Sequence, residues 1–166
     1  SNSHRNPGIG STGIPVINNV VSNWSPRVGS TWFGSNVDWI NNFFKAGPSS
    51  TAESLLVHND FPKGSPAEKW PAPSIYISGN LAPPLLTDPA ADNWPMYLIH
   101  YANTPLPPEF RRQQPLPPPP IPVTVQPAAD AYNSVVADVG ANARLDCLGR
   151  WVPNRDAVDE RLLTDV

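Results

Sequence analysis

Cysteine, charge and long apolar runs are all scarce in this chain, and each shortage removes a class of protein. Cys147 is the only cysteine among 166 residues, so no intramolecular disulfide can staple the fold. It reads as a small apolar residue or an exposed free thiol. No apolar stretch approaches the roughly 20 residues that span a bilayer, which excludes a membrane-crossing helix. Charged residues make up only 15% of the chain, and the net charge of −3 argues against a nucleic-acid or anionic-membrane partner. Zinc-ligand spacings, a Ser-His-Asp set and a phosphate-cradling glycine loop are also missing. Asp38 is the only acid in the first 48 residues, and one carboxylate makes no metal site. That front segment still carries Arg5, Arg27 and Lys45, a mild excess that suits an anionic ligand and equally an ordinary surface.

Proline and asparagine are plentiful instead, and their placement organises the chain. Ile17-Asn18-Asn19 and Ile40-Asn41-Asn42 lie 23 residues apart, each inside a short apolar run, and Ile75-Tyr76-Ile77-Ser78-Gly79-Asn80 is a degenerate third copy. Residues 13–24 and 35–46 read as strand, asparagine corner, strand, because valine, isoleucine, phenylalanine and tryptophan favour a pleated, half-buried surface. A period near 23 is about one coil of a stacked solenoid. Stacked asparagines could then form a ladder in which each amide donates to the next. The fold expected is therefore all-β: a partial right-handed parallel β-helix over residues 1–80, with an insertion at 49–72 bulging out as a loop.

Residues 81–127 read as a proline-rich strap. Within it Pro115-Leu116-Pro117-Pro118-Pro119-Pro120-Ile121-Pro122 is polyproline II by necessity, with φ fixed and backbone donors absent. It matches a PxxP ligand pattern, but Leu116, Ile121 and Val123 favour a strap lying over the body. The tail, 128–166, changes period. Ala128, Tyr132, Val135, Val136 and Val139 follow helical spacing after Pro127, and Gly140 stops the run. A second short helix is predicted from about Asn154–Asp156, with Val158, Leu162 and Val166 on one face. Neither helix is long enough to stand alone in water, so both are expected to pack on the body. The six tryptophans share no period, and packing is the expectation for each.

Several of these segments together resemble the pectate lyases of polysaccharide lyase family one. The matching pieces begin with Ser3-His4-Arg5-Asn6-Pro7, Ile17-Asn18-Asn19-Val20 and the run from Ile40 to Pro48. Ile77-Ser78-Gly79-Asn80 and Asp92-Asn93-Trp94 follow, then Ala128 to Tyr132, Val139 to Ala141 and Arg155 to Arg161. Their order is collinear over nearly the whole chain, and it resembles the C-terminal portion of such an enzyme. The resemblance implies a secreted, extracellular lyase, monomeric at full length, that cleaves polygalacturonate or pectin by β-elimination. Calcium would bridge enzyme and uronate carboxylates, and its ligands would lie upstream of Ser1. The front end of the chain is expected to be truncated for the same reason.

The family's proposed base is the arginine of an Arg-x-Pro motif, which falls on Arg5. An arginine has a pKa above about 12, so a neutral guanidine at pH 7 is a fraction on the order of 10⁻⁵. A lowered pKa, an acidified substrate proton or alkaline conditions would be needed for Arg5 to take a proton. Electrostatic stabilisation of the carboxylate is its other role. His4 is placed at the substrate, or else completes a hydrogen-bonded turn. Many relatives carry a second, substrate-binding arginine five positions later, where this chain has Gly10. Two further readings stay open: a calcium-independent pectin lyase, and a non-catalytic glycan-binding or structural module.

Overall fold

The computed structural model describes residues 6–25, 27–32, 34–50, 57–60, 71–99, 104–139 and 142–164. Twelve short strands and two α-helices are found among them. The first ladder contains β1 (Gly8–Ile9), β4 (Gly29–Trp32), β7 (Val57–Asp60), β9 (Tyr97–Ile99) and β10 (Thr104–Pro105), hydrogen-bonded in that order. A second joins β2 (Thr12–Ile17), β5 (Asn36–Ile40) and β8 (Ser74–Ser78). A third pairs β3 (Val20–Ser22) with β6 (Phe43–Lys45). The fourth is an antiparallel hairpin of β11 (Ala143–Leu145) and β12 (Trp151–Pro153).

This corrects the architecture expected from the sequence. The strands divide among four separate sheets, one with an antiparallel edge and one wholly antiparallel. Two α-helices, α1 (Ala128–Asp138) and α2 (Ala157–Thr164), follow them. No all-β, right-handed parallel β-helix and no closed solenoid is formed among the described residues. The physical reason lies in the proline content after Asn80. A proline nitrogen cannot donate to a ladder, so long parallel strands cannot continue there. The chain instead returns beside β9 as the two-residue antiparallel strand β10, which contains Pro105. Strand β7 also falls inside the stretch 49–72 that reads as a loop.

The repeats themselves do pair locally. Ile17 aligns with Ile40, Ile40 with Ser78, and Val20 with Phe43, all in parallel. Asparagine makes the corners because Asn18, Asn23 and Asn41 adopt positive φ (55°, 47° and 51°), a region that asparagine tolerates better than most side chains. Gly79 holds the equivalent third corner at φ 70°, where a Cβ would sit 1.8 Å from Asn41 Oδ1. Only glycine fits that close approach.

Beside the corners runs a hydrogen-bonded asparagine ladder. Asn19 Nδ2 donates to Asn42 Oδ1 at 3.3 Å, Asn42 Nδ2 to Asn80 Oδ1 at 2.8 Å, and Asn80 Nδ2 to Asn93 Oδ1 at 3.0 Å. At each step the backbone N–H donates to the same oxygen: Asn19 and Asn42 at 2.9 Å, Asn80 at 2.7 Å. Asn42 and Asn80 are fully buried, so these bonds replace water that burial removes.

The core packs between the ladders: Trp24, Val28, Val37, Trp39, Phe44, Ile75 and Tyr97 are all fully or almost fully buried. Helix α1 docks through buried Ala128 and Ala131 and through Tyr132, whose ring stacks on Phe43 at 4.4 Å. Helix α2 has no buried residue, and Val158 and Leu162 are more than half exposed, contrary to the expectation that its apolar face packs on the body. Among the described tryptophans, Trp24, Trp39 and Trp94 are buried as expected, but Trp151 is 72% exposed.

Candidate functional site

The described chain begins at Asn6, and its first residues are anchored on the segment from Val28 to Ser30. Asn6 N donates to Val28 O at 2.8 Å, and Ser30 N donates to Pro7 O at 3.1 Å. Strand β1 then lies parallel to β4, with Gly8 opposite Ser30 and Ile9 opposite Thr31. Gly29 makes this approach possible: a Cβ there would meet the Trp39 ring at 3.0 Å and Pro7 O at 3.2 Å. Ser35 Oγ closes the edge by donating to Ile9 O at 3.1 Å.

Beneath this edge sits a buried polar cluster. Tyr97 Oη lies 3.0 Å from Thr31 Oγ1 and accepts from Trp39 Nε1 at 3.1 Å. Burial pushes the Tyr97 phenol far above its ordinary range, against the smaller opposing effect of its bonds to Thr31 and Trp39. The phenol is therefore neutral and acts as a hydrogen-bonded pillar under β4. Arg27, just before Val28, is also buried. In the sequence Arg27 contributes only to the charge balance of the front segment, and no motif marks it.

Arg5 and His4 lie outside the described residues, as do His100 and Trp70. The backbone of His58 is in β7, in register with Ser30 and Leu98. Gly10 sits against the Trp32 indole, where a Cβ would be 3.4 Å from the ring. Lys45 lies on β6, with its ammonium 5.7 Å from the Tyr132 ring, a cation–π contact that helps seat α1. Cys147 is an exposed free thiol.

Asp38 is occupied by the strap. Its Oδ1 accepts from Arg112 Nη2, and its Oδ2 accepts from Leu116 N at 2.7 Å. At the strap's far end Gln126 O accepts from Asn18 Nδ2 at 2.6 Å and Asn41 Nδ2 at 2.9 Å, while Gln126 N donates to Asn18 Oδ1 at 3.0 Å. The corner asparagines thus have a second use that their repeat did not reveal.

Calcium does not fit the described residues. A hard cation of this kind takes six to eight oxygens, with several carboxylates among them. Asp38 is committed to Arg112 and Leu116, Asp92 to Arg111 at 2.7 Å, and Asp146 to Arg150 at 2.7 Å. No group of three or more histidine, cysteine or acidic side chains converges among the described residues. None of the described helices is long and apolar enough to cross a membrane. Comparison with protein-family models, curated proteins and solved structures finds no match.

Proposed function

We propose that the chain is part of an extracellular pectate lyase acting on polygalacturonate, with Arg5 at the reacting uronate and His4 beside it. The observation that supports this reading is the anchoring of Asn6 and Pro7 on Val28 and Ser30. A guanidinium that must meet one C–H bond needs a fixed backbone, because small misplacements forfeit most of the advantage of orientation. Asn6-Pro7, pinned to a strand over a packed core, supplies that footing.

In β-elimination the proton on C5 leaves to a base, its electron pair forms the C4–C5 double bond, and the C4–oxygen bond breaks to release the sugar hydroxyl. Negative charge grows on the uronate carboxylate. A positive group beside it lowers the barrier whether or not it takes the proton itself. Arg5 fills that role. No step is assigned to calcium, because no group of three or more histidine, cysteine or acidic side chains converges among the described residues.

The experiment is ultraviolet detection of unsaturated uronide product from polygalacturonate. The chain alone is expected to give none, with or without calcium, and calcium-dependent product from it would overturn the assignment of the metal ligands to residues elsewhere. In an enzyme containing this chain and those ligands, Arg5→Lys should abolish turnover while thermal unfolding stays unchanged. Near-normal turnover would remove Arg5 from the mechanism. Gly10 against Trp32, at the position where many pectate lyases of that family carry a second arginine, favours a second reading as a non-catalytic module. Calorimetric binding of oligogalacturonate, with no product from any enzyme containing the chain, would select it.

A further inference from the structure

Two apolar features in this fold stand open to solvent among the described residues. One is a slot between the strap and the β2–β5 face, about 320 Å³ in volume, walled by Pro15, Ile17 and Ile40 on one side and by Pro118, Pro122 and Val123 on the other. The other is the tip of the β11–β12 hairpin. Leu145 and Trp151 are cross-strand partners there, 55% and 72% exposed, with Leu148 in the turn 71% exposed.

We propose that Trp151 of one copy inserts into the proline-walled slot of a second copy, making a weak head-to-tail contact. Proline-rich segments dock on aromatic rings because their conformation is preformed and little entropy is lost on contact. Both halves of this contact are ordered in advance. The strap is clamped at one end by Asp38 and at the other by Asn18 and Asn41. The hairpin turn is held by Asp146, whose Oδ1 accepts from Leu148 N at 2.8 Å and Arg150 N at 2.9 Å.

The sizes agree. A cavity of about 150 Å³ admits a benzene ring, so the slot has room for an indole and part of a neighbouring leucine. Trp151 does not fill the slot of its own chain, since its ring stands in solvent. A tryptophan buries about 150–250 Å² and the leucines add less, well below the roughly 1,000 Å² of a stable interface. The contact is therefore transient, with a dissociation constant on the order of 0.1–1 mM. Because knob and slot lie on different surfaces, the interface is heterologous and can add further copies. It departs from the monomer that the family resemblance implies, and it does not rest on the polygalacturonate reading.

Sedimentation velocity on the full chain tests this, from about 10 μM to about 1 mM. The weight-average mass should rise with concentration in the wild type. It should stay monomeric for Trp151→Ser, which removes the knob, and for the Val123→Glu, Val125→Glu double variant, which charges the slot rim. Those three positions are at least half exposed, so the fold should be kept, and circular dichroism checks it. An equimolar mixture of the two variants should associate again, because one retains the slot and the other the knob. A wild type monomeric throughout, a Trp151→Ser variant that associates as well as wild type, or a mixture that stays monomeric would each overturn the proposal.

Discussion

Replacing Asn42 with alanine tests the asparagine ladder at its most buried rung. Its Nδ2 donates to Val16 O at 2.9 Å and to Asn80 Oδ1 at 2.8 Å, while its Oδ1 accepts from Asn19 N at 2.9 Å. In Asn42→Ala the Asn80 oxygen keeps a donor, because Asn42 N still points at it from 2.9 Å. Val16 O loses its donor in a buried place, and Asn19 N loses its acceptor in a part-buried one. An orphaned buried polar group costs about 1–3 kcal/mol and a lost bond at a wetter site about 1 kcal/mol, so with the amide's packing the predicted loss is about 3–4 kcal/mol. That is a large part of the ~5–15 kcal/mol that holds a domain of this size together. Urea unfolding followed by tryptophan fluorescence reads it directly, since buried Trp24 and Trp39 belong to the same core. With a slope of about 2 kcal/mol/M, the midpoint should fall by about 2 M. Asn19→Ala is the control. Asn19 is exposed at the ladder's end, and its backbone bond to Asn42 survives, so the loss should be no more than about 1 kcal/mol. The reasoning fails if Asn42→Ala costs under about 1 kcal/mol, or if the two variants are equally destabilised.

Three other perturbations probe separate contacts. Tyr97→Phe leaves Trp39 Nε1 without its Tyr97 acceptor and removes the phenol's contact with Thr31 Oγ1, so it should cost about 1–3 kcal/mol in the same urea assay. Asp38→Ala strips the strap of its hold at Leu116 and leaves Arg112 half-buried without its carboxylate. Trypsin should then cut after Arg112 faster than in the wild type, and an unchanged cleavage rate would show that the strap is held by other contacts. Asp92 is held below the ordinary carboxylate range chiefly by its hydrogen bond from Arg111. A depressed folded-state pKa contributes stability above the unfolded value that disappears as pH falls through the folded one. Asp92→Asn should therefore flatten the acid limb of a melting-temperature profile slightly, because the pair is exposed, and leave the neutral plateau nearly unchanged.

The Ile-Asn-Asn repeat, the strands on either side of it and the first tail helix were legible because each rests on local chemistry. Asparagine at a positive-φ corner, β-branched runs of period two, and alanine and valine at helical spacing after Pro127 carry their conformations in the residues themselves. The amide ladder could be foreseen from the recurring asparagines at 19, 42 and 80, although its steps of 23, 38 and 13 residues are unequal and its last rung, Asn93, lies outside the repeat. Overall architecture could not. A local repeat fixes which segments pair but not where pairing stops, and the break into four sheets depends on where β10 and the β11–β12 hairpin find partners. The candidate site was legible only in part. The Arg5-Asn6-Pro7 motif is visible in sequence, but its anchoring on Val28 and Ser30 joins residues more than twenty positions apart.

By itself, then, the sequence determined the corners, the spacing of the asparagines and the stiffness of the proline run, since these follow from the φ preferences and hydrogen-bonding groups of single residues. Only the tertiary structure decided how they are used. Asp38 reads as a lone acid in the front of the chain, yet in the fold it clasps Arg112 and the strap. Trp151 reads as one more core aromatic, and the fold leaves it in solvent because the hairpin that bears it offers no neighbour to bury it. Burial and partnership are set by what arrives from distant parts of the chain, and no residue encodes that alone.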